Sequence, residues 1–279
     1  MSASDPRSIL SAAVPGAPLD LAQVRQHLNA QRLGRRFHYF AEISSTNTHA
    51  RELAEQGAPE GEVVVAESQT QGRGRLGRHW ESPPLANLYF SIILRPKLAP
   101  VHAPQITLMA AVALAEAVGS FIPQSPAIKW PNDILVNGKK LAGILAEAVC
   151  LAERVEYVIL GVGVNVNYPV DFMPPELRTR ATSLFDLTRI HIHRESFLRR
   201  LIQDLDRCYG DLEESGFQAL APRWEAYFAL RGRRVRVELL DQIVLGRAVG
   251  IAPDGALLVE ADDGTPQRVI AGDVIPLEI

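Results

Sequence analysis

The dipeptide Asn137-Gly138 stands between the apolar runs Ile134-Leu135-Val136 and Leu141-Ala142-Gly143-Ile144-Leu145, and no other feature constrains the fold as tightly. A two-residue connection of this kind requires left-handed backbone at both residues, a type I′ turn, and holds two antiparallel strands in one register. Val136 should then face Lys139, Leu135 should face Lys140, and Ile134 should face Leu141. Because side chains alternate along a strand, Lys140 is expected to share a face with Ala142, Leu135 and its diagonal neighbour Asp133, with Lys139 turned to solvent. Pro131 biases Trp130 towards extended backbone, which presents Lys129, Asn132 and Asp133 at the mouth of the hairpin. Taken alone, the segment also fits a surface hairpin with a solvated lysine pair.

A second segment, Gln69-Thr70-Gln71-Gly72-Arg73-Gly74-Arg75-Leu76-Gly77-Arg78-His79-Trp80, carries glycines that let backbone N–H groups approach a ligand and arginines that set guanidinium forks around one point. Phosphate is the natural guest. The pattern lacks the Gly-Lys-Ser/Thr of a P-loop and the placed acidic residue of a dinucleotide fingerprint. A basic surface loop or an RNA-binding segment would have the same composition. In the third segment, Gly161-Val162-Gly163-Val164-Asn165-Val166-Asn167, glycines inside a strand signal close approach by a backbone or a ligand, or packing alone.

Along the rest of the chain, residues 1–18 read as a loose tail and Leu19 to Leu33 as one helix ending at Gly34. Strands are expected near Phe37 to Ile43, Val63 to Glu67, Asn87 to Leu94 and Tyr157 to Val166. Helices are expected over Thr48 to Gln56, capped by a side chain of Ser44 to Asn47, and over Ala103 to Phe121, Phe197 to Leu212 and Phe217 to Leu230. After Gly232 come short strands, Val235 to Leu239, Val244 to Ile251, Ala256 to Val259 and Arg268 to Ile275. Asp254-Gly255 and Asp263-Gly264 break them as turns, so a small β-barrel is expected.

Length and charge narrow the function. A chain of 279 residues suggests two domains, and 47% hydrophobic with 22% charged residues excludes wholesale disorder. The net charge of −3 provides no global field for nucleic acid or an anionic membrane, so an anion site must be local. Cys150 and Cys208 lie in no metal-ligand spacing, which fits a reducing, cytoplasmic setting. No apolar run reads as long enough to span a bilayer, and Ile106 to Ala115 reads as a buried helix.

The motifs Gly-Arg-Gly-Arg-x-Gly-Arg-x-Trp, Lys-Trp-Pro-Asn-Asp, Lys-Leu-Ala-Gly-Ile-Leu and Gly-x-Gly-x-Asn, in this order after Ser45-Thr46-Asn47, resemble those of the biotin protein ligases. They cover Ser44 to Asn167. The resemblance implies an α+β fold, a mixed and mostly antiparallel sheet with helices of the class II synthetase-like type, followed by a small SH3-like β-barrel. It divides the chain into an N-terminal tail and helix (1–35), a catalytic domain (36–230) and the barrel (231–279). The implied reaction joins biotin and ATP to biotinyl-5′-adenylate, with Mg²⁺ on the departing pyrophosphate, and passes the acyl group to a lysine of a biotin carboxyl carrier protein. The resemblance implies no membrane partner and leaves a homodimer open.

Carried over by residue, the resemblance makes Ser45, Thr46, Asn47, Gln69, Arg73 and Gly74 biotin contacts, with Arg75 and Lys140 catalytic and touching both substrates. Arg78, Trp80, Asn132, Asp133 and Asn165 fall on the nucleotide side, and Asp133 is the one weak candidate for the metal. Leu76 stands where some members have a further arginine. A carboxylate attacking a phosphate needs positive charge and preorganised donors, with no side-chain nucleophile. A lipoate or octanoate ligase is the nearest rival, and an acyl-chain site would leave the polar Ser45-Thr46-Asn47 and Gln69 unpaired. A ligase-repressor would need a DNA-binding helix-turn-helix, for which the stretch before Phe37 offers one helix, so no DNA partner is expected.

Overall fold

A computed structural model describes residues 16–239 and 242–277. Two sheets organise it. The first joins seven strands in the order β1-β2-β3-β7-β6-β5-β4, where β1 is Arg36–Phe40, β2 Glu62–Ala66, β3 Leu88–Leu94, β4 Ala127–Lys129, β5 Asp133–Val136, β6 Lys139–Leu151 and β7 Arg154–Val164. Only β1 and β2 pair in parallel; every other ladder is antiparallel, as expected for a mixed sheet. The second sheet is wholly antiparallel, β11-β10-β9-β8-β12, from β8 (Arg234–Glu238), β9 (Ile243–Ile251), β10 (Leu257–Ala261), β11 (Pro266–Val269) and β12 (Asp273–Pro276).

The helices cover the first sheet unequally. On one face lie α3 (Pro104–Gly119) and α6 (Arg194–Ser215); the short α4 (Pro175–Arg178) and α5 (Leu184–Thr188) fall between them in the chain. Helix α3 is apolar on all sides because it is enclosed on all sides, and Ile106, Met109, Ala110, Val112 and Ala113 are fully buried. By length and composition alone residues 100–119 would suffice to cross a membrane, contrary to the sequence expectation, but the most apolar part of that span is mostly buried inside the fold. On the opposite face α2 (Thr46–Glu55) packs Ala50 and Ala54 on Val64, Ile93, Tyr157 and Ile159. It covers only the β2-β3-β7 end, and the rest of that face holds the site.

Several expectations change. The first helix, α1, spans only Leu21–Gln26, because Asp20 caps its start and the chain turns at His27. Residues 28–33 instead run to a tight anchor, where the Asp206 carboxylate accepts the backbone N–H groups of Gln31, Arg32 and Leu33. Residues 1–15 of the expected tail lie outside the described residues, but Ala17 is pinned, its carbonyl accepting from Arg194 at 2.6 Å. The stretch from Phe217 breaks into a 3₁₀ turn and the short α7 (Ala221–Ala226). The last expected strand is two, β11 and β12, divided at Gly272, whose φ of 154° breaks the ladder.

The hairpin itself forms as the turn dictates. Asn137 and Gly138 have φ of 51° and 75°, and Val136 pairs with Lys139 and Leu135 with Lys140. One residue further the register shifts: Ile134 pairs with Ala142, not with Leu141, across a β-bulge. The extra residue reverses the alternation beyond it. Leu141 and Ala142 are both fully buried in the main core, and the residue beside the Lys140 side chain is Gly143, not Ala142. The bulge lets one strand give Lys140 to the site and still bury the two residues that follow.

A buried ion pair closes the N-terminal segment onto this core. Arg194 Nη1 donates to Glu67 Oε2 at 2.7 Å and to the Asn87 carbonyl at 2.9 Å, and Glu67 Oε1 accepts the Leu19 N–H at 2.6 Å. Side-chain exposure is 4% for Arg194 and 2% for Glu67, so removing one charge strands the other. Arg194→Met is expected to lower the unfolding free energy by about 3 kcal/mol. Urea titration should show the loss as a lower midpoint at unchanged slope.

Candidate functional site

A cavity of about 540 Å³ opens on the uncovered part of the first sheet, between the 72–80 loop, the hairpin and β12. Ser45, Thr46, Asn47, Gln69, Arg73, Gly74, Arg75, Arg78, Trp80, Asn132, Asp133, Lys140 and Asn165 all line it, so the structure brings together every site residue expected from the sequence.

One end is polar and closed. Ser45 stands at the N-cap of α2 but its side chain makes no capping bond, contrary to expectation. The Gln69 amide oxygen takes that role from outside, accepting the Thr46 N–H at 2.9 Å, while Gln69 Nε2 donates to Ser82 Oγ at 3.2 Å. Asn47 donates to the Leu145 carbonyl at 3.2 Å and to Glu147 Oε2 at 2.7 Å. Both of its amide protons are thus spent inside the protein. Asn47 fits against the sheet because residue 161 is glycine: a Cβ there would lie 2.0 Å from Asn47 Oδ1.

The 72–80 loop forms the lid. Arg73 and His79 bridge across it, Gly74 N–H donates to the Arg78 carbonyl at 2.7 Å, and Trp80 N–H donates to the Gly72 carbonyl at 2.9 Å. Its tip, Leu76, is left-handed and 70% exposed. Trp80 lays its indole on Gly143 and Gly163, where added Cβ atoms would come within 3.0 Å and 2.6 Å of the ring. Lys140 Nζ sits 5.3 Å from that ring's centroid and 2.7 Å from Asp133 Oδ1, a charge contact outside hydrogen-bond geometry.

The second sheet braces the lid. Arg75 reaches past Asn132 Oδ1 (3.2 Å) to the Gly272 carbonyl (2.9 Å), and Arg78 pairs with Asp273. Burial lowers the Arg75 pKa, opposed by the Asp273 and Asp133 charges. Its hydrogen-bond partners are both neutral, and a guanidinium stays charged at neutral pH, so Arg75 presents a half-buried cation not paired directly with a carboxylate. For Asp273, burial opposes ionisation, but the hydrogen bond and charge of Arg78 outweigh it, with Lys129 and Arg75 adding, and the pKa falls below the ordinary value.

Sequence reasoning missed the far wall. Tyr168, Met173, Leu177 and Ala181 pack together and line the cavity beside Arg180. Their segment is irregular and rich in proline, with no period to read. Tertiary contacts seat it: Lys140 N–H donates to the Arg180 carbonyl at 2.7 Å, Thr182 N–H donates to the Lys140 carbonyl at 2.9 Å, and Asn165 Nδ2 donates to the Thr182 carbonyl at 3.0 Å. Asn165 therefore holds this wall with its amide N–H. The glycines of β7 receive side chains, Asn47 and Trp80, where the sequence left open a backbone or a ligand.

Two variants test the seat and the brace. Gly163→Ala should expel the indole and red-shift tryptophan emission, whereas Gly74→Ala, whose nearest neighbour is 3.5 Å away, should leave emission unchanged. A carboxyl with a lowered folded-state pKa adds stability above its unfolded pKa of about 3.9 and loses it as pH falls through the folded value. The stability difference between wild type and Asp273→Asn should therefore be full at pH 7 and begin to shrink only as pH falls below about 3.9.

The model of the Biotin/lipoate A/B protein ligase family matches residues 39–165, and that of the Biotin protein ligase C terminal domain matches residues 231–275. The biotin--[acetyl-CoA-carboxylase] ligase of Mycobacterium tuberculosis is 37% identical over 93% of this chain and 96% of its own length. The bifunctional ligase/repressor BirA of Bacillus subtilis is 37% identical over 92% of this chain and 78% of its own. The biotin protein ligase of Aquifex aeolicus, solved in complex with biotin and ATP, superposes with a TM-score of 0.75 at 27% identity, covering 88% of this chain and all of that one. With likeness of this extent in sequence and fold, the chain belongs to the biotin protein ligase family.

Proposed function

We propose that the protein activates biotin with ATP to biotinyl-5′-adenylate and transfers biotin to a lysine of a carboxyl carrier protein, such as the acetyl-CoA carboxylase carrier for which its relatives are named. The observation that carries this reading is one cavity whose lining brings Lys140, Arg75 and Arg78 together with the polar Thr46, Asn47 and Gln69 and the apolar Met173, Leu177 and Ala181. The polar end, with Thr46, Asn47 and Gln69, suits the ureido ring. The wall of Met173, Leu177 and Ala181 suits a flat base, which leaves the phosphates beside the cations.

In the first step a carboxylate oxygen of biotin bonds to the α-phosphorus as the bond to pyrophosphate breaks. Lys140 and Arg75 bring the two anions together and offset the charge that builds on the phosphate oxygens. Asp133, at 2.7 Å, aims the lysine, and the Trp80 ring beneath it keeps water from that side. In the second step the carrier's neutral amine attacks the acyl carbon, the bond to the AMP oxygen breaks with its electron pair leaving on AMP, and the nitrogen releases a proton to solvent as the amide forms; Asp133, beside Lys140 on the cavity wall, is placed to orient that amine. Among the described residues no three His, Cys, Asp or Glu side chains converge as a metal cage. Were Mg²⁺ to accompany the nucleotide, Asp133 is the carboxylate that would help to hold it, and the ion would neutralise the leaving pyrophosphate.

Pyrophosphate exchange into ATP should depend on biotin and not on lipoate or octanoate; exchange with lipoate alone would make the chain a lipoate ligase. Lys140→Ala should reduce the biotin-dependent exchange by about 10²-fold or more, with a thermal midpoint close to wild type.

A further inference from the structure

The two strands that carry the lid part before they reach it. Ala66 and Tyr89 are the last pair between β2 and β3 on that side. Beyond them the incoming stem crosses to residues 43 and 44, where Thr70 N–H donates to the Ile43 carbonyl at 2.9 Å and Gln71 N–H to the Ser44 carbonyl at 2.8 Å. The outgoing stem turns the other way, and the Ala86 carbonyl accepts the Asn167 N–H at 2.9 Å. Arg194 fills the fork, bonded to Glu67 on one stem and to the Asn87 carbonyl on the other. The stems meet again at the base of the loop, around the buried Ser82. Two backbone groups of known sense decide how. Thr46 N–H can only donate, so Gln69 turns Oε1 to it and Nε2 to Ser82 Oγ, 3.2 Å away. Ser82 accepts that bond, and its own proton goes to the Trp80 carbonyl at 3.0 Å, which can only accept. One hydroxyl thus joins the residue that closes the polar end to the residue that seats the lid. Gly72 leaves room for the knot: a Cβ there would lie 2.5 Å from the Trp80 carbonyl oxygen and 2.7 Å from Ser82 Oγ.

We propose that Ser82 is a positioning residue that fixes the neck of the lid, holding the Gln69 amide and the Trp80 backbone as one unit so that the closed site retains the adenylate. The inference rests on the reading of the protein as a biotin-activating ligase. Ser82 lies outside the Arg/Gly motif and does not line the cavity, so it acts through Gln69 and Trp80. Without the hydroxyl, the Gln69 N–H and the Trp80 carbonyl both lose a partner in a place with little water, and the neck must rearrange to satisfy them. Arg75 and Arg78 keep separate anchors on the second sheet, at Gly272 and Asp273, so the cations beside the phosphates are held independently of Ser82. A loosened neck therefore affects the polar end and the retention of the adenylate more than the binding of ATP.

The test is the ratio of two rates measured with biotin and ATP in the absence of a carrier: AMP formation and pyrophosphate exchange. Adenylate that escapes is hydrolysed, as water attacks the acyl carbon, the bond to the AMP oxygen breaks and biotin and AMP result. Both rates scale with the amount of folded enzyme, so their ratio is blind to a loss of stability. Ser82→Ala should raise the ratio about tenfold, the scale of one buried hydrogen bond. The biotin KM in exchange should rise with it, and the ATP KM should stay within about twofold. Gly72→Ala, which presses a methyl group into the same knot from the other stem, should raise the ratio at least as much. An unchanged ratio in Ser82→Ala, with or without a lower thermal midpoint, would overturn the proposal, as would an ATP KM that rises as far as the biotin KM. Should Ser82→Ala fail to fold, Gly72→Ala decides by the same ratio. Wild-type protein without biotin-dependent exchange would instead refute the substrate reading on which the proposal stands.

Discussion

The indole of Trp80 rests on bare backbone, and the site follows from that contact. Gly143 and Gly163 are directly paired across β6 and β7, so their missing side chains leave one flat depression in the sheet. Gly161, paired with Leu145, extends it to Asn47. A methyl group at residue 161 or 163 would collide with the side chain seated there, since interiors have no slack of that size. With Trp80 seated, the loop's arginines are carried over the hairpin and within reach of the second sheet. The depression exists because α2 covers only one end of that sheet face.

Charge is distributed with the same economy. Deep in the core, Arg194 and Glu67 neutralise each other and spend their remaining capacity on backbone groups and the Tyr39 hydroxyl. In the cavity Arg75 has only neutral hydrogen-bond partners, while the more exposed Arg78 is anchored by Asp273. A cation held by dipoles costs more to bury and gains more from an arriving anion than one already paired. A chain with a net charge of −3 can thus hold a strongly cationic site. The second sheet is part of that site, because Gly272 and Asp273 hold the lid from outside the first sheet.

Much of this was legible in the residues. The Asn137-Gly138 turn fixed the first two pairs of the hairpin and aimed Lys140 and Asp133 at one point, as found. The same rule failed at Leu141, where a bulge changes the count of residues, since two-residue periodicity holds only while each residue has one partner. The glycines of β7 signalled close approach, but nothing local told what would approach. The first helix stopped early because the Asp206 carboxylate offers residues 31–33 better partners than another helical turn. The wall from Tyr168 to Ala181 carried no period, and its place depends on backbone bonds to Lys140, a partner about 40 residues distant in the sequence.

The sequence by itself determined the local chemistry: a turn that admits one hairpin register at its end, a loop able to expose backbone donors beside guanidinium groups, and the order of motifs that marks the family. These are short-range properties, set by backbone sterics and the spacing of charges. Tertiary structure alone decided which face of the sheet stays open, what fills the space above each glycine, and which carbonyls brace the lid. Each of these depends on contacts between residues far apart in the chain, which no local pattern of residue types specifies.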